Sequence, residues 1–297
     1  MIEVDKVSKA LGKKTVLQEI TFNIEKGSIF GLMGENGAGK TTLVRCMTGI
    51  YRTDSGSIRV NGSEVYENPD IKRNIGYVAE QSQYFSSFYI KELISFYKMT
   101  YPSFSEDKFH RLNKVLEVPV EKRMMELSKG MKMRVSLMLN LSINPEFLVL
   151  DEPTSGLDAA AKREVFRLIL EDVEERRTTV FISSHGLHDI ERFCDRVALL
   201  KGSKIHSIGS VEAMKKNIRK LQVVFKEELP ECINTWREVV SVEKLGRVFY
   251  IITREYTDEL EKKFYSHGAM FIEEIDMSLE DMFIYSAKGV EKIDEAV

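Results

Sequence analysis

The sequence predicts an α/β protein with a mixed β core, an antiparallel β subdomain, an inserted helical subdomain and a small C-terminal α+β domain. Three observations predict it. Short continuous apolar runs at residues 28–33, 147–150, 179–182 and 196–200 have the length and make-up of strands buried on both faces. A helical stretch from Lys162 to Arg176 separates the second run from the third, and strand, crossover helix, strand is the unit of a parallel sheet. The texture changes twice more, becoming helical between about residues 82 and 145 and alternating again after Gly209.

Each element follows from its pattern. Residues 1–30 alternate apolar and polar positions around the turn Leu11-Gly12-Lys13-Lys14, through Ile20, Phe22 and Ile24, which predicts antiparallel strands with one buried face. Residues 28–33 form a strand leading into a glycine-rich turn and a helix that starts near Lys40. Ile90, Leu93, Ile94 and Tyr97, then Leu112, Val115 and Leu116, recur at helical spacing, with Pro102, Pro119 and Pro145 as breaks. Beyond Gly209, residues 221–225, 239–245, 248–253 and 270–275 read as strands, 258–267 as a helix, and a short helix starts at Leu279. A chain of 297 residues exceeds the usual size of one core, so two domains are expected, residues 1–215 and 216–297.

Composition excludes several classes. The chain is 43% hydrophobic and 30% charged with a formal net charge of −3, without the basic excess of a nucleic-acid binder, so no nucleic acid partner is expected. Cys46, Cys194 and Cys232 are widely spaced and form no CxxC, which fits reduced thiols rather than a disulfide or zinc framework. No leader peptide is expected, and no apolar run approaches the ~20 residues that span a bilayer, so a membrane role must come through a partner.

The strongest local signal is Gly34-Glu35-Asn36-Gly37-Ala38-Gly39-Lys40-Thr41-Thr42, which satisfies GxxxxGK[ST] between a buried strand and a helix. In such a P-loop, glycines let backbone N–H groups turn inward around a phosphate, at the positive end of the following helix. Lys40 is expected on the β and γ oxygens of ATP and the Thr41 hydroxyl on Mg²⁺. Residues 147–150 then end in Asp151-Glu152. Beside a P-loop, Asp151 is placed to hold Mg²⁺ and Glu152 to accept a proton from the attacking water.

A P-loop alone leaves kinases, GTPases and other motors open. Leu127-Ser128-Lys129-Gly130-Met131, just upstream of Asp151, resembles the LSGGQ signature of the ABC ATPases. Ser155-Gly156-Leu157-Asp158 resembles their D-loop, and His185, after Phe181-Ile182-Ser183-Ser184, their switch histidine. The resemblance covers roughly residues 1–215 and implies a P-loop NTPase of ABC type that hydrolyses ATP with Mg²⁺. It also implies a head-to-tail dimer, homodimeric or formed with a second ABC ATPase. In that dimer Ser128 and Gly130 of one chain meet the γ-phosphate held by the other, His185 touches that phosphate, and Asp158 carries the signal across. The implied partners are membrane permease subunits of an ABC transporter, which would place the chain in the cytoplasm, peripheral on the inner face of the cell membrane.

Departures from the pattern are as informative. Leu11 stands where the family often stacks an aromatic residue on adenine, which is expected to weaken affinity or base selectivity. Glu80, followed by Gln81, stands where the family places the Q-loop glutamine; Glu80 is assigned to the metal position, with a one-residue shift to Gln81 as the alternative. Lys129 and Met131 replace Gly and Gln of the signature, as in ABC-2 type export ATPases, which residues 97–109 and 278–283 also resemble. Tyr84, Phe85, Phe88, Tyr89 and Phe96 crowd the segment where the family seats a permease helix, and core packing of the helical subdomain accounts for them equally well. The C-terminal domain carries no constellation of chemistry and reads as dimer support before ligand sensing.

Two other function classes compete. A non-transport ABC ATPase acting as a switch would usually carry two cassettes or a long coiled-coil insertion, and this sequence has one cassette with no room for a coil. A module that retains ATP without hydrolysis is disfavoured by Lys40, Asp151, Glu152 and His185 together.

Overall fold

Period-two alternation at the start of the chain gives two long strands, β1 (Ile2–Leu11) and β2 (Lys14–Ile24), paired antiparallel around a turn in which Gly12 takes φ 62°. The computed structural model describes residues 1–80, 86–213, 218–277, 281–282 and 285, and of residues 187–189 only the backbone. Strand β3 (Ile29–Met33), buried along its whole length, opens a second sheet, and α1 (Lys40–Met47) follows its loop. β4 (Ser55–Val60) and β5 (Ser63–Glu64) return to the first sheet, which has the order β2-β1-β4-β5.

After a short α2 (Pro69–Lys72) and β6 (Ile75–Val78) come the helices α3 (Ile90–Thr100), α4 (Glu106–Leu116) and α5 (Lys129–Ser142). Pro102, Pro119 and Pro145 fall between or after them, as the break signals require. Ser105 caps α4 by accepting from Lys108 N, and Ser128 caps α5 by accepting from Met131 N, each satisfying one amide of a first helical turn. The chain then alternates β7 (Phe147–Asp151), α6 (Ala159–Arg176), β8 (Thr179–Ser184), α7 (Leu187–Phe193), β9 (Arg196–Lys201) and β10 (Lys204–Ser210).

The central sheet has the order β10-β9-β3-β8-β7-β6, and its pairs β9–β3, β3–β8, β8–β7 and β7–β6 are parallel. Parallel pairing brings the carboxyl ends of β3, β8, β7 and β6 to one edge, where α/β sheets bind ligands. Phe22 on β2 stacks on Phe30 of β3 at 4.9 Å between ring centroids, and Phe181 of β8 lies 6.0 Å from Phe30. These rings join the antiparallel sheet to the parallel one through apolar contact.

Contacts divide the chain into two compact units, Met1–His206 and Ser207–Val297, while the expected division at residue 215 falls among residues outside the described set. The second unit is an antiparallel sheet in the order β12-β13-β11-β14, from β11 (Arg219–Phe225), β12 (Val239–Leu245), β13 (Val248–Thr253) and β14 (Ala269–Ile275). Helix α8 (Asp258–Ser266), capped by Thr257, buries Leu260 and Phe264 against Leu221, Val223, Ile251 and Trp236. The helix expected from Leu279 falls largely on residues outside the described set, as do parts of 278–283. Cys46 and Cys194 are buried, Cys232 is exposed, and all three are free thiols. No helix among the described residues is long and apolar enough to cross a membrane.

Candidate active site

The loop of residues 34–39 turns the chain from the end of β3 into α1, and its glycines are required by geometry. A Cβ on Gly34 would lie 2.6 Å from the Leu200 carbonyl oxygen, and one on Gly39 2.8 Å from that of Val16, where Gly39 also takes φ 114°. Gly39 caps α1 without a side-chain bond, and the first turn holds no acidic residue. Leu43 N donates to Gly39 O, so the amides of Lys40, Thr41 and Thr42 precede the first intrahelical bond, at the positive end of the helix. Within the loop, Ala38 N donates to Glu35 O at 3.2 Å. The buried Lys40 folds back over the loop, its Nζ donating to the Gly34 carbonyl at 2.7 Å.

β7 and β8 deliver the acids and the histidine. Their parallel register sets Asp151 beside Ser183, so Glu152 and His185 leave neighbouring strand ends. Asp151, 2% exposed, accepts from the hydroxyls of Ser183 and Thr41. Burial pushes its carboxyl above the usual range, the charges of Glu152 and Glu80 act in the same direction, and the two hydroxyl bonds oppose the shift. Glu152 then takes φ 51°, a left-handed conformation that costs a non-glycine residue about 1–2 kcal/mol. Its amide donates to Ser183 O at 3.0 Å, and the carboxylate lies 2.7 Å from His185 Nδ1 and 3.5 Å from Lys40 Nζ.

Most of these groups share one cleft of about 520 Å³, while Gly34, Ala38 and Asp151 lie outside its lining. Glu35, Asn36, Gly37, Gly39, Lys40, Thr41 and Thr42 line it with Glu80, Glu152 and His185, and Leu11 lies at its wall. Lys14 and Val16 of β2 also line it, although the sequence singled out neither; both stand next to the Gly12 turn. Ser183 was legible only as part of a strand, yet it fixes the Asp151 carboxylate.

Ser128, Gly130 and Asp158 are absent from the cleft lining. Ser128 and Gly130 open α5, and Asp158 caps α6, its carboxylate held below the usual range chiefly by the Ala161 amide, which donates to it at 2.8 Å. Of the aromatic segment, Phe88 and Phe96 are exposed and the half-buried Tyr89 lies under the Arg123 guanidinium at 4.8 Å. Gln81, Tyr84, Phe85 and the side chain of His188 lie outside the described residues.

Comparison with known proteins agrees with this fold. The ABC transporter family model matches residues 17–155. The ABC transporter ATP-binding protein YtrB of Bacillus subtilis (strain 168) is 34% identical over 97% of this chain and 99% of its own length. A solved ATP-binding subunit of an ABC transporter superposes with a TM-score of 0.66 at 26% identity, covering 72% of this chain and 92% of that one. A dimeric bacterial ABC transporter cassette shares the fold at 22% identity with a TM-score of 0.65, over 71% of this chain and 99% of that one. The chain belongs to the ATP-binding subunits of ABC transporters, the ATPases that energise transport through membrane permease subunits.

Proposed function

We propose that ATP lies with its triphosphate in the loop of residues 34–42 and is hydrolysed when a second protomer closes over the cleft. What carries this reading is the convergence of Lys40, Glu152 and His185 on one cleft while Ser128, at the start of α5, stands outside it. Lys40 exchanges the Gly34 carbonyl for phosphate oxygens, and the free amides at the start of α1 complete the cradle. Glu152 takes the proton of the attacking water, and its bond to His185 fixes both groups beside the γ-phosphate. Ser128 and Gly130 of one chain meet the γ-phosphate held by the other, and Asp158 faces the dimer seam. That a cassette of the same fold is dimeric supports the pairing of two protomers.

The residues present fit a magnesium ion. The Thr41 hydroxyl donates to the Asp151 carboxylate and the Glu80 charge acts on the same carboxylate, an all-oxygen set of donors that suits magnesium. Held by Thr41, Asp151 and Glu80, such an ion would supply positive charge against the phosphate oxygens during hydrolysis.

The functional division is an ATPase domain of residues 1–215 with a C-terminal accessory domain of 216–297. The chain works in the cytoplasm on the inner face of the membrane, seated on permease subunits through the segment that presents Phe88 and Phe96. Measuring phosphate release tests the reading: Glu152→Gln keeps ATP binding and lowers turnover by about 10²–10⁴-fold. Equal rates in the wild-type and variant chains would remove Glu152 as the base.

A further inference from the structure

Two of the departures from the family pattern meet in space. Lys129, the first residue of α5, reaches its Nζ to 3.3 Å from Glu80 Oε1 and donates to Ser155 Oγ at 2.8 Å. Its aliphatic stem crosses Gly156, where an added Cβ would touch Lys129 Cδ at 3.4 Å and where φ is 79°. Glu80 lines the ATP cleft and adds to the negative field that raises Asp151. Lys129 is thus tied to the start of α5, to the cleft wall and to the loop after β7.

We propose that Lys129 is a positioning residue for Glu80: its ammonium holds and compensates a carboxylate that would otherwise turn toward and repel the incoming triphosphate, so that Lys129 and Glu80 act on the nucleotide as one coupled pair. The physical ground is charge bookkeeping inside the cleft. Glu35, Glu80 and Glu152 face it with Asp151 beneath, and Lys14 and Lys40 oppose them. A polyanion entering there is repelled by every carboxylate without a partner, and the attraction of unlike charges at contact distance is strongest where water is partly excluded. Both side chains are about half exposed, so the pair adds little to folding stability, and its weight falls on the nucleotide. Lys129 cannot be replaced by a free counterion without loss, because Ser155 and the surface of Gly156 hold the ammonium in place.

The inference rests on the reading of the cleft as the ATP site. Its test is calorimetric titration of the full-length chain with ATP in EDTA, which removes any metal-ligand role of Glu80 and leaves only charge compensation. Lys129→Ala is expected to weaken binding by about two- to fivefold, the scale of one exposed ion pair. Glu80→Gln added to Lys129→Ala recovers that affinity, whereas in the wild-type chain, where the ion pair holds the carboxylate toward the start of α5, it gives a smaller gain. The swapped pair Lys129→Glu with Glu80→Lys likewise binds more tightly than Lys129→Glu alone. Independent, multiplicative effects of the two positions, or no effect of Lys129→Ala, would overturn the coupling. Lys40→Ala run beside them separates the two readings, since wild-type affinity in that variant would sink the cleft as the ATP site whatever the pair does.

Discussion

At the scale of residues, the phosphate loop combines tolerance and intolerance within six positions. Gly37 and Gly39 both take positive φ, 80° and 114°, yet an added Cβ on Gly37 meets nothing within 4 Å while one on Gly39 meets the Val16 carbonyl oxygen at 2.8 Å. Gly39→Ala therefore combines backbone strain with a clash against main chain that cannot swing aside. We expect it to lower stability by about 1–3 kcal/mol, read as a shift in the urea midpoint at constant slope. It should also lower ATP affinity at least tenfold, because the amides of α1 move with the loop. A variant that keeps wild-type affinity would show that the loop does not depend on this contact. The cradle was legible from sequence because its parts are consecutive: GxxxxGK[ST] fixes spacing and context together. The bond between Glu152 and His185 was legible only in outline, since it needs β7 and β8 to be parallel neighbours. The contact of Lys129 with Glu80 joins residues 49 apart and leaves no local pattern, so sequence showed two departures and not that they touch.

At the scale of elements, the runs that periodicity marked as strands and helices are found where expected among the described residues, the helix from Leu279 falling largely outside them, and three of the misses have a plain cause. β4, with the sequence Ser-Gly-Ser-Ile-Arg-Val, buries only Ile58 and Val60, and β10 buries none of its residues fully, so neither carries an apolar signal strong enough to stand out. α7 is seven residues long, too short for a helical period to repeat. One tie between elements has a sharp consequence. Lys108 of α4 and Asp172 of α6 form a buried ion pair that fastens the helical subdomain to the ATPase core, with Asn144 Oδ1 accepting from Lys108 Nζ at 3.1 Å and Thr178 donating to Asp172 at 2.7 Å. Burial depresses the Lys108 ammonium below its ordinary range despite the attraction of Asp172. Asp172→Ala leaves that ammonium buried with one neutral acceptor, and we expect a loss of about 3–5 kcal/mol in chemical denaturation. Lys108→Met combined with Asp172→Ala should restore most of it, because an apolar pair carries no desolvation cost. If the double variant is as unstable as the single one, the pair is not the source of the loss.

At the scale of the whole molecule, the two units can be observed separately because the chain has a single tryptophan. Trp236 lies in the core of the second unit, 9% exposed, 5.1 Å from the Phe264 ring and under Lys263 Nζ at 4.1 Å. Its emission therefore reports the unfolding of unit Ser207–Val297, whereas the far-ultraviolet circular dichroism is dominated by the larger unit. Every described residue that lines the cleft proposed to hold ATP belongs to Met1–His206. A ligand that binds the folded form alone stabilises it by about 2.7 kcal/mol at a hundredfold excess over its dissociation constant. ATP at that excess should consequently raise the midpoint of the dichroism transition and leave the tryptophan transition where it was. Two probes that separate under ligand mark two cooperative units, since a two-state chain must give coincident curves. If both transitions move together, folding of the accessory unit is bound to that of the ATPase, and the second unit then shares in the energy of nucleotide binding although none of its described residues lines the cleft.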